Sequence, residues 1–372
     1  MINATGNGQV PKNGEIRMSG QPLEGRRIVI TGGTGSLGRR LTHRVLSGEL
    51  GRPDKVIIFS RDESRQHQMR LDFLHKATAT DEVIYENGKK VLEFRVGDIR
   101  NIDSVTSVLS GADIVFNAAA MKQVPTCEYS PYEATRTNIA GAENIVWAIE
   151  AFRLNVETVI GISTDKACKP VNVMGMSKAI QERVFVQANI RCPETRFVGV
   201  RYGNVLASRG SAVPLFQEQV RRGGPVTVTT EDMTRFMLSL DEAVDTVFAA
   251  LTLAEPGDIF VPDLPSALMT NVARALIGDR DIDIQITGIR PGEKIHEIMI
   301  SEEEAPRTVR RGDWIAIRPM LPELAGHVEN PVIKEVFSSD GPVLDLEGTR
   351  RLLASHGLLT DQVAEPASTL LR

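Results

Sequence analysis

From residue 26 onward, short runs of apolar, β-branched residues alternate with longer amphipathic stretches. Residues 26–31, 55–60, 91–96, 113–116 and 158–162 are rich in Val, Ile and Phe and read as strands. Between them, residues 37–46, 62–76, 102–109 and 132–152 space their apolar positions as helices do. Strands alternating with helices of this length predict an α/β fold: a doubly wound, parallel Rossmann sheet covered on both faces. After about Asn204 the rhythm breaks. Gly223-Gly224-Pro225, Glu255-Pro256-Gly257 and Arg290-Pro291-Gly292 punctuate shorter elements. This predicts a flexible leader over 1–24 and a dinucleotide-binding domain over 25–204, to which 237–265 returns. A smaller, partly interleaved domain takes 205–236 and 266–372. One last amphipathic helix is expected near 345–355, with frayed residues beyond it.

Composition narrows the class. A chain of 372 residues, 42% hydrophobic and 24% charged, has material for a large core and more than one domain. The net charge is -5 and no long basic block occurs, which argues against a nucleic-acid partner. Three cysteines, Cys127, Cys168 and Cys192, are too few for a disulfide framework and fit a reducing compartment. The six His residues are scattered without metal-ligand spacing, so no metal is expected. No apolar run reaches the roughly 18 residues that span a bilayer. The first 24 residues lack the apolar core of a signal peptide, so a cytoplasmic protein without a membrane partner is expected. No internal repeat is apparent.

The first predicted strand runs into Thr31-Gly32-Gly33-Thr34-Gly35-Ser36-Leu37-Gly38, which then opens a helix. Glycines at 32, 35 and 38 in that context let a backbone approach a pyrophosphate, which the N–H groups of a helix N-terminus then hold. Thr34, Ser36 and Leu37 complete this phosphate loop; a plain tight turn is the alternative. The second strand ends in Ser60-Arg61-Asp62. A cation where an acid would take the ribose hydroxyls of NAD suits the 2′-phosphate of NADP instead, with NAD as the alternative. A solvated Arg61 beside an N-capping Asp62 is the simpler reading. Asp98 and Ile99 follow the third strand, where the carboxylate can take an adenine amino group or cap the next helix. Ala118, Ala119 and Ala120 follow Asn117 and leave room for a nicotinamide ribose at the sheet's carboxyl edge.

The fifth strand ends in Ser163-Thr164-Asp165-Lys166, and Met174 precedes Lys178 by one helical turn. A nicotinamide-dependent short-chain dehydrogenase places Tyr-x-x-x-Lys at this point. Lys178 is retained, to hold the nicotinamide ribose, but Met174 stands where the Tyr belongs. A thioether cannot accept a hydroxyl proton, so Met174 reads as packing. An acid and a base on the segment leading in point to elimination chemistry. A surface ion pair is the alternative for Asp165 and Lys166.

Longer motifs carry a resemblance. They are Phe59-Ser60-Arg61-Asp62-Glu63, Ala118-Ala119-Ala120-Met121-Lys122-Gln123-Val124-Pro125, Ser163-Thr164-Asp165-Lys166, Arg201-Tyr202-Gly203-Asn204-Val205, Ala207-Ser208-Arg209-Gly210-Ser211, Met233-Thr234-Arg235-Phe236-Met237 and Gly292-Glu293-Lys294. From about residue 25 to 304 the chain resembles extended short-chain dehydrogenase/reductases. Within them it is similar to the CapE-like, configuration-inverting UDP-N-acetylglucosamine 4,6-dehydratases of polysaccharide biosynthesis. In that branch Met at the Tyr position is itself found.

The resemblance implies an NADP-dependent lyase acting on a UDP-sugar. Carbon 4 is oxidised, water leaves across carbons 5 and 6, and hydride returns to carbon 6 without net redox. It makes Asp165 the acid for the departing hydroxyl and Lys166 the base at carbon 5. A Lys base must be partly neutral, so a pKa lowered by burial or by Lys178 and Lys122 is expected. Thr164, Asp165 or a bound water remain open as relays for the carbon 4 hydroxyl proton. Arg209, Arg235 and Arg290 are candidates for the diphosphate, because a planar guanidinium matches phosphate oxygens. Asn204 and Glu293 are placed by resemblance at diphosphate and uridine ribose, and Lys122 at the sugar. His296 and Glu302-Glu303-Glu304 read as surface features. Related enzymes imply a homo-oligomer, a dimer or a hexamer. A UDP-sugar 4-epimerase or reductase, and a non-catalytic NADP-binding module, are the competing readings. Configuration at carbon 5, the carbon 2 substituent and the tail beyond about 319 stay open.

Overall fold

Alternate residues of the first strand face opposite cores. Ile28 and Ile30 belong to one apolar cluster and Val29 to the other, and all are fully buried. The same alternation recurs at Ile58 against Ile57 and Phe116 against Val115. Such strands bury both faces and require helices on each side. The computed structural model describes residues 20–74, 91–206, 211–326, 328 and 330–360. Nine strands form the main sheet: Arg27–Thr31 (β1), Lys55–Ser60 (β2), Leu92–Val96 (β3), Ile114–Asn117 (β4), Thr158–Ile162 (β5), Arg196–Val200 (β6), Ile259–Val261 (β7), Thr308–Arg311 (β8) and Trp314–Ile317 (β9). Their order is β8-β9-β7-β6-β5-β4-β1-β2-β3. The strand order reverses between β1 and β4, which run parallel, at the point where open α/β sheets take their ligands.

Helices Ser36–Ser47 (α1) and Leu240–Leu253 pack on one face. Ile102–Leu109, Gly141–Phe152 and Val173–Arg191 (α2) pack on the other. A smaller four-stranded sheet joins Asn204–Val205, Thr234–Leu238, Ser266–Leu268 and Val343–Leu344. A third core gathers helices Ala212–Arg221 and Met269–Ile277 with Leu353 of the last helix, Leu346–Ser355.

Three expectations change in detail. Leu23 is fully buried and its N–H donates to Leu50 O, so ordered packing begins inside the expected leader, whose residues 1–19 lie outside the described residues. Residues 308–317, expected in the smaller domain, extend the main sheet instead. There β9 pairs antiparallel with β7 and β8 with β9, so this edge of the sheet is not parallel. The predicted helix 132–152 contains a π-helical turn at Thr135–Ala140, which apolar spacing does not reveal. Residues 75 and 76 of the second predicted helix lie outside the described residues. Among the described residues no helix is long and apolar enough to cross a membrane.

Candidate active site

The turn after β1 is drawn tight by two contacts. Gly32 has φ +64°, and a Cβ there would sit 2.7 Å from Ala118 O. A Cβ on Gly38 would sit 2.5 Å from Gly33 Cα. Only glycine fits such a cradle. Gly35 caps α1 without a side-chain hydrogen bond, so the helix N-terminus at Ser36 and Leu37 is not closed by its own chain. Thr34, partly buried, sits between them, its carbonyl accepting from Arg39 Nε. Ala118 and Ala119 follow β4, their N–H groups tied to Thr31 O and Oγ1. Ala120 beyond them is exposed.

At the end of β2, Ser60 accepts from Gln66 through both its carbonyl and its hydroxyl. Arg61 is exposed and lies 3.8 Å from Asp98 Oδ2. Asp62 Oδ1 accepts from Arg65 N, as a helix cap does. Asp98 does not cap the following helix; Asn101 does. The Asp98 carboxylate instead grips Arg100, at 2.6 Å. Burial pushes its pKa up, but Arg100 and Arg61 hold it below the usual carboxylate range. Ile99 is buried against Gly141.

Past β5 the chain enters a 3-10 turn at Asp165–Ala167, capped by Thr164. Asp165 is fully buried and its N–H donates to Tyr202 O. Its Oδ1 accepts from Thr164 Oγ1 at 2.8 Å and from Lys166 Nζ at 3.0 Å. Its Oδ2 has no hydrogen-bond partner among the described residues. Lys166 Nζ also donates to Asn204 Oδ1 at 3.1 Å and pairs with Glu297 Oε1 at 2.9 Å. The pair is therefore buried, not a surface ion pair. The expected lowering of the Lys166 pKa is overturned. Burial pushes it down, but the Asp165 and Glu297 carboxylates raise it above the ordinary lysine value. Lys178 behaves the opposite way. It is buried on α2, bonded to Ile162 O and, at 2.6 Å, to Gln181 Oε1, and burial lowers its pKa to about 7. Met174 packs against Cys127 and Ala134, the apolar role expected of it.

A cleft of about 220 Å³ gathers Lys166, Asn204, Arg235, Arg290 and Glu293. Asp165 and Lys122 do not line it. Arg235 is buried, and its guanidinium donates to Thr234 O, Ile295 O and Lys294 O. Arg290 is exposed, and Glu293 Oε2 is buried without a partner among the described residues. Asn172 Nδ2 donates to Gly292 O at 2.7 Å, stitching this turn to the start of α2. Arg209 lies outside the described residues.

A larger cavity of about 370 Å³ lies by Ala167, Cys168 and Lys169. It contains none of the expected ligand groups, so the smaller cleft is the chemically relevant one. The wall of the larger cavity holds a cluster that sequence reasoning missed. Arg201 is 1% exposed and bridges Glu182 and Glu304 at 2.7 and 2.8 Å, while Glu182 also accepts from Ser163 Oγ. Glu304 is thus buried, not the surface residue expected, because it neutralises Arg201. His296 is partly buried and bonds Thr234 Oγ1. Glu297 was missed as well; only its nearness to Gly292-Glu293-Lys294 hinted at it.

The profile of the family described as "Polysaccharide biosynthesis protein" matches residues 28–319. A Rickettsia conorii protein named UDP-glucose 4-epimerase is 42% identical over 91% of this chain and 98% of its own. A Campylobacter jejuni protein named UDP-N-acetylglucosamine 4,6-dehydratase (inverting) is 39% identical over 80% of this chain and 84% of its own. Among solved structures, Pen from Bacillus thuringiensis is similar with a TM-score of 0.80 and 31% identity, covering 91% of this chain and 99% of that one. DesIV, a dTDP-glucose 4,6-dehydratase from Streptomyces venezuelae with NAD bound, shares the fold at a TM-score of 0.59 and 19% identity, covering 72% and 86%.

Proposed function

Because the chain belongs to the polysaccharide biosynthesis protein family, and there to the extended short-chain dehydrogenase/reductase-type dehydratases and epimerases, we propose that it is a UDP-N-acetylglucosamine 4,6-dehydratase. The observation that carries this reading is the contact between buried Asp165 and Lys166, which lines the cleft, together with the buried Met174. A 4-epimerase eliminates no water and has little use for such a pair.

The glycine cradle, the uncapped start of α1 and the alanines after β4 fit a nicotinamide dinucleotide. Gly32, Thr34, Gly35, Ser36, Leu37 and Gly38 would hold its pyrophosphate. Asp98 and Ile99 would meet the adenine, and Ala118, Ala119, Ala120 and Lys178 the nicotinamide ribose. Exposed Arg61 beside Ser60 favours NADP over NAD. When bound, the nicotinamide supplies a reversible hydride acceptor for carbon 4 of the sugar. Asn204, Arg235, Arg290 and Glu293 would bind the UDP moiety, with Arg209 and Lys122 as further contacts.

The chain's own part is proton transfer. At rest the proton sits on Lys166, as its raised pKa requires. Elimination needs it on Asp165. The 3.0 Å contact between Nζ and Oδ1 is the direct route for that transfer. A bound sugar removes water from the cleft, and desolvation favours a neutral amine beside a neutral acid over an ion pair. Neutral Lys166 then takes the carbon 5 proton, which a carbon 4 ketone acidifies, and Asp165 gives its proton to the leaving carbon 6 hydroxyl. Thr164 Oγ1, held on Asp165, remains as relay for the carbon 4 hydroxyl.

The second reading is a UDP-sugar 4-epimerase, supported by the name of the Rickettsia relative. NMR of UDP-N-acetylglucosamine incubated with the protein separates the two. A 4-keto-6-deoxy sugar supports the dehydratase, and an axial 4-hydroxyl supports the epimerase.

A further inference from the structure

Glu297 lines the cleft but has no part in the elimination as written. Its side chain is only 2% exposed and immediately precedes strand Ile298–Ile300. Oε1 lies 2.9 Å from Lys166 Nζ, and Oε2 is buried without a hydrogen-bond partner among the described residues. We propose that Glu297 is a positioning residue that keeps the Lys166 amine protonated until substrate arrives, and so sets the pH above which the Asp165–Lys166 pair has lost the proton that the elimination uses. The second half of that statement rests on Lys166 being the base at carbon 5.

Four charged groups face Lys166 from the elements around it. Asp165 comes from its own turn and Glu297 from the segment before Ile298–Ile300. Arg235 comes from strand Thr234–Leu238, with its Nε 3.9 Å from Glu297 Oε1. Lys294 comes from the turn at 290–294, with its ammonium on Cys168 O. Two carboxylates thus balance two cations around the amine, and Asn204 adds only a neutral acceptor. Asp165 Oδ1 is shared with Thr164, whereas the Glu297 carboxylate faces only cations. Without its charge, one carboxylate is left against two cations, and the ammonium form of Lys166 loses one of the two carboxylates that support it. An opposite charge at this range is worth about one to three pKa units.

The Glu297 backbone is held without the charge. The Glu297 backbone is held by Ser339 from both sides, with Glu297 N–H donating to Ser339 Oγ and Ser339 N–H donating to Glu297 O. Glu297→Gln keeps shape and backbone contacts while removing the charge.

The test reads Lys166 itself. Cofactor-loaded wild type, Glu297→Gln and Glu297→Asp are acetylated at trace level with acetic anhydride across a pH series. Peptide mass spectrometry follows Lys166, with Lys178 as internal control, and pH–rate profiles are recorded in parallel. The expected result is a Lys166 titration lowered by about one to three units in Glu297→Gln and restored towards wild type in Glu297→Asp. The alkaline limb of kcat should move down by the same amount. An unmoved Lys166 titration in a Glu297→Gln protein of unchanged melting temperature overturns the proposal. A shifted titration with an unmoved alkaline limb upholds Glu297 as the group that holds the proton, and removes Lys166 as the base.

Discussion

Lys166 Nζ lies 3.0 Å from Asp165 Oδ1, so an amine and a carboxyl adjacent in sequence share a proton-transfer contact at the edge of the cleft. Neither residue can be replaced without disabling the other. Asp165→Asn and Lys166→Met are each expected to lower kcat by about 10²–10⁴-fold. Their KM values should change far less. Steady-state kinetics with far-UV circular dichroism checks this. Loss of helical signal in parallel with activity would assign the pair a structural role instead.

Arg201 should be structural. It is buried with Glu182 and Glu304, and removing it leaves two carboxylates without their cation. Arg201→Met is expected to cost about 3–5 kcal/mol in denaturant unfolding. A double variant that also carries Glu304→Gln should recover part of that loss.

Acid stability follows from the same cluster. Burial pushes the Glu304 carboxyl up, but Arg201 outweighs it and lowers the pKa to about 2. A depressed carboxylate pKa stabilises the fold at pH values above its unfolded value of about 4.3. That stability is lost as pH falls from there towards 2. Glu304→Gln should flatten this limb of an acid unfolding curve relative to wild type.

Lys178 predicts a slope at the other end. Burial lowers its pKa to about 7, while an unfolded lysine titrates near 10.4. Between those values the unfolded chain binds the extra proton, so this residue makes stability rise with pH. Unfolding free energies measured from neutral to alkaline pH should rise less in Lys178→Met than in wild type.

The proposed preference for NADP rests on Arg61. Its guanidinium is exposed and only 3.8 Å from Asp98 Oδ2, so little holds it away from a ligand phosphate. Arg61→Ala should weaken NADP binding by about tenfold and NAD binding much less, since a charge-assisted hydrogen bond is worth about 1.5–3 kcal/mol. Fluorescence titration with both dinucleotides measures the ratio.

The parts of this fold that were legible are those set by local pattern. β2 and β5 span the residues expected of them, because β-branched runs ending in polar turns admit no other local structure. The edge strands at 308–317 were not legible. Their sheet partner, β7, lies some fifty residues away, and no local pattern records an antiparallel pairing made at that distance. The site divides in the same way. Asp165 and Lys166 are neighbours in a recognisable motif, while Glu297 reaches Lys166 from more than a hundred residues on. The direction of the Lys166 pKa follows from Asp165 first and Glu297 second, two carboxylates whose burial around the amine no local pattern records. Glu304 sat in an acidic run that reads as solvated until Arg201 is placed beside it.

The most direct test of the account is proton NMR of the sugar formed when the cofactor-loaded protein turns over UDP-N-acetylglucosamine in deuterium oxide. The account predicts a 4-keto-6-deoxy product carrying deuterium at carbon 5. A product that keeps its carbon 6 hydroxyl and its carbon 5 proton, with only the carbon 4 configuration changed, would contradict it.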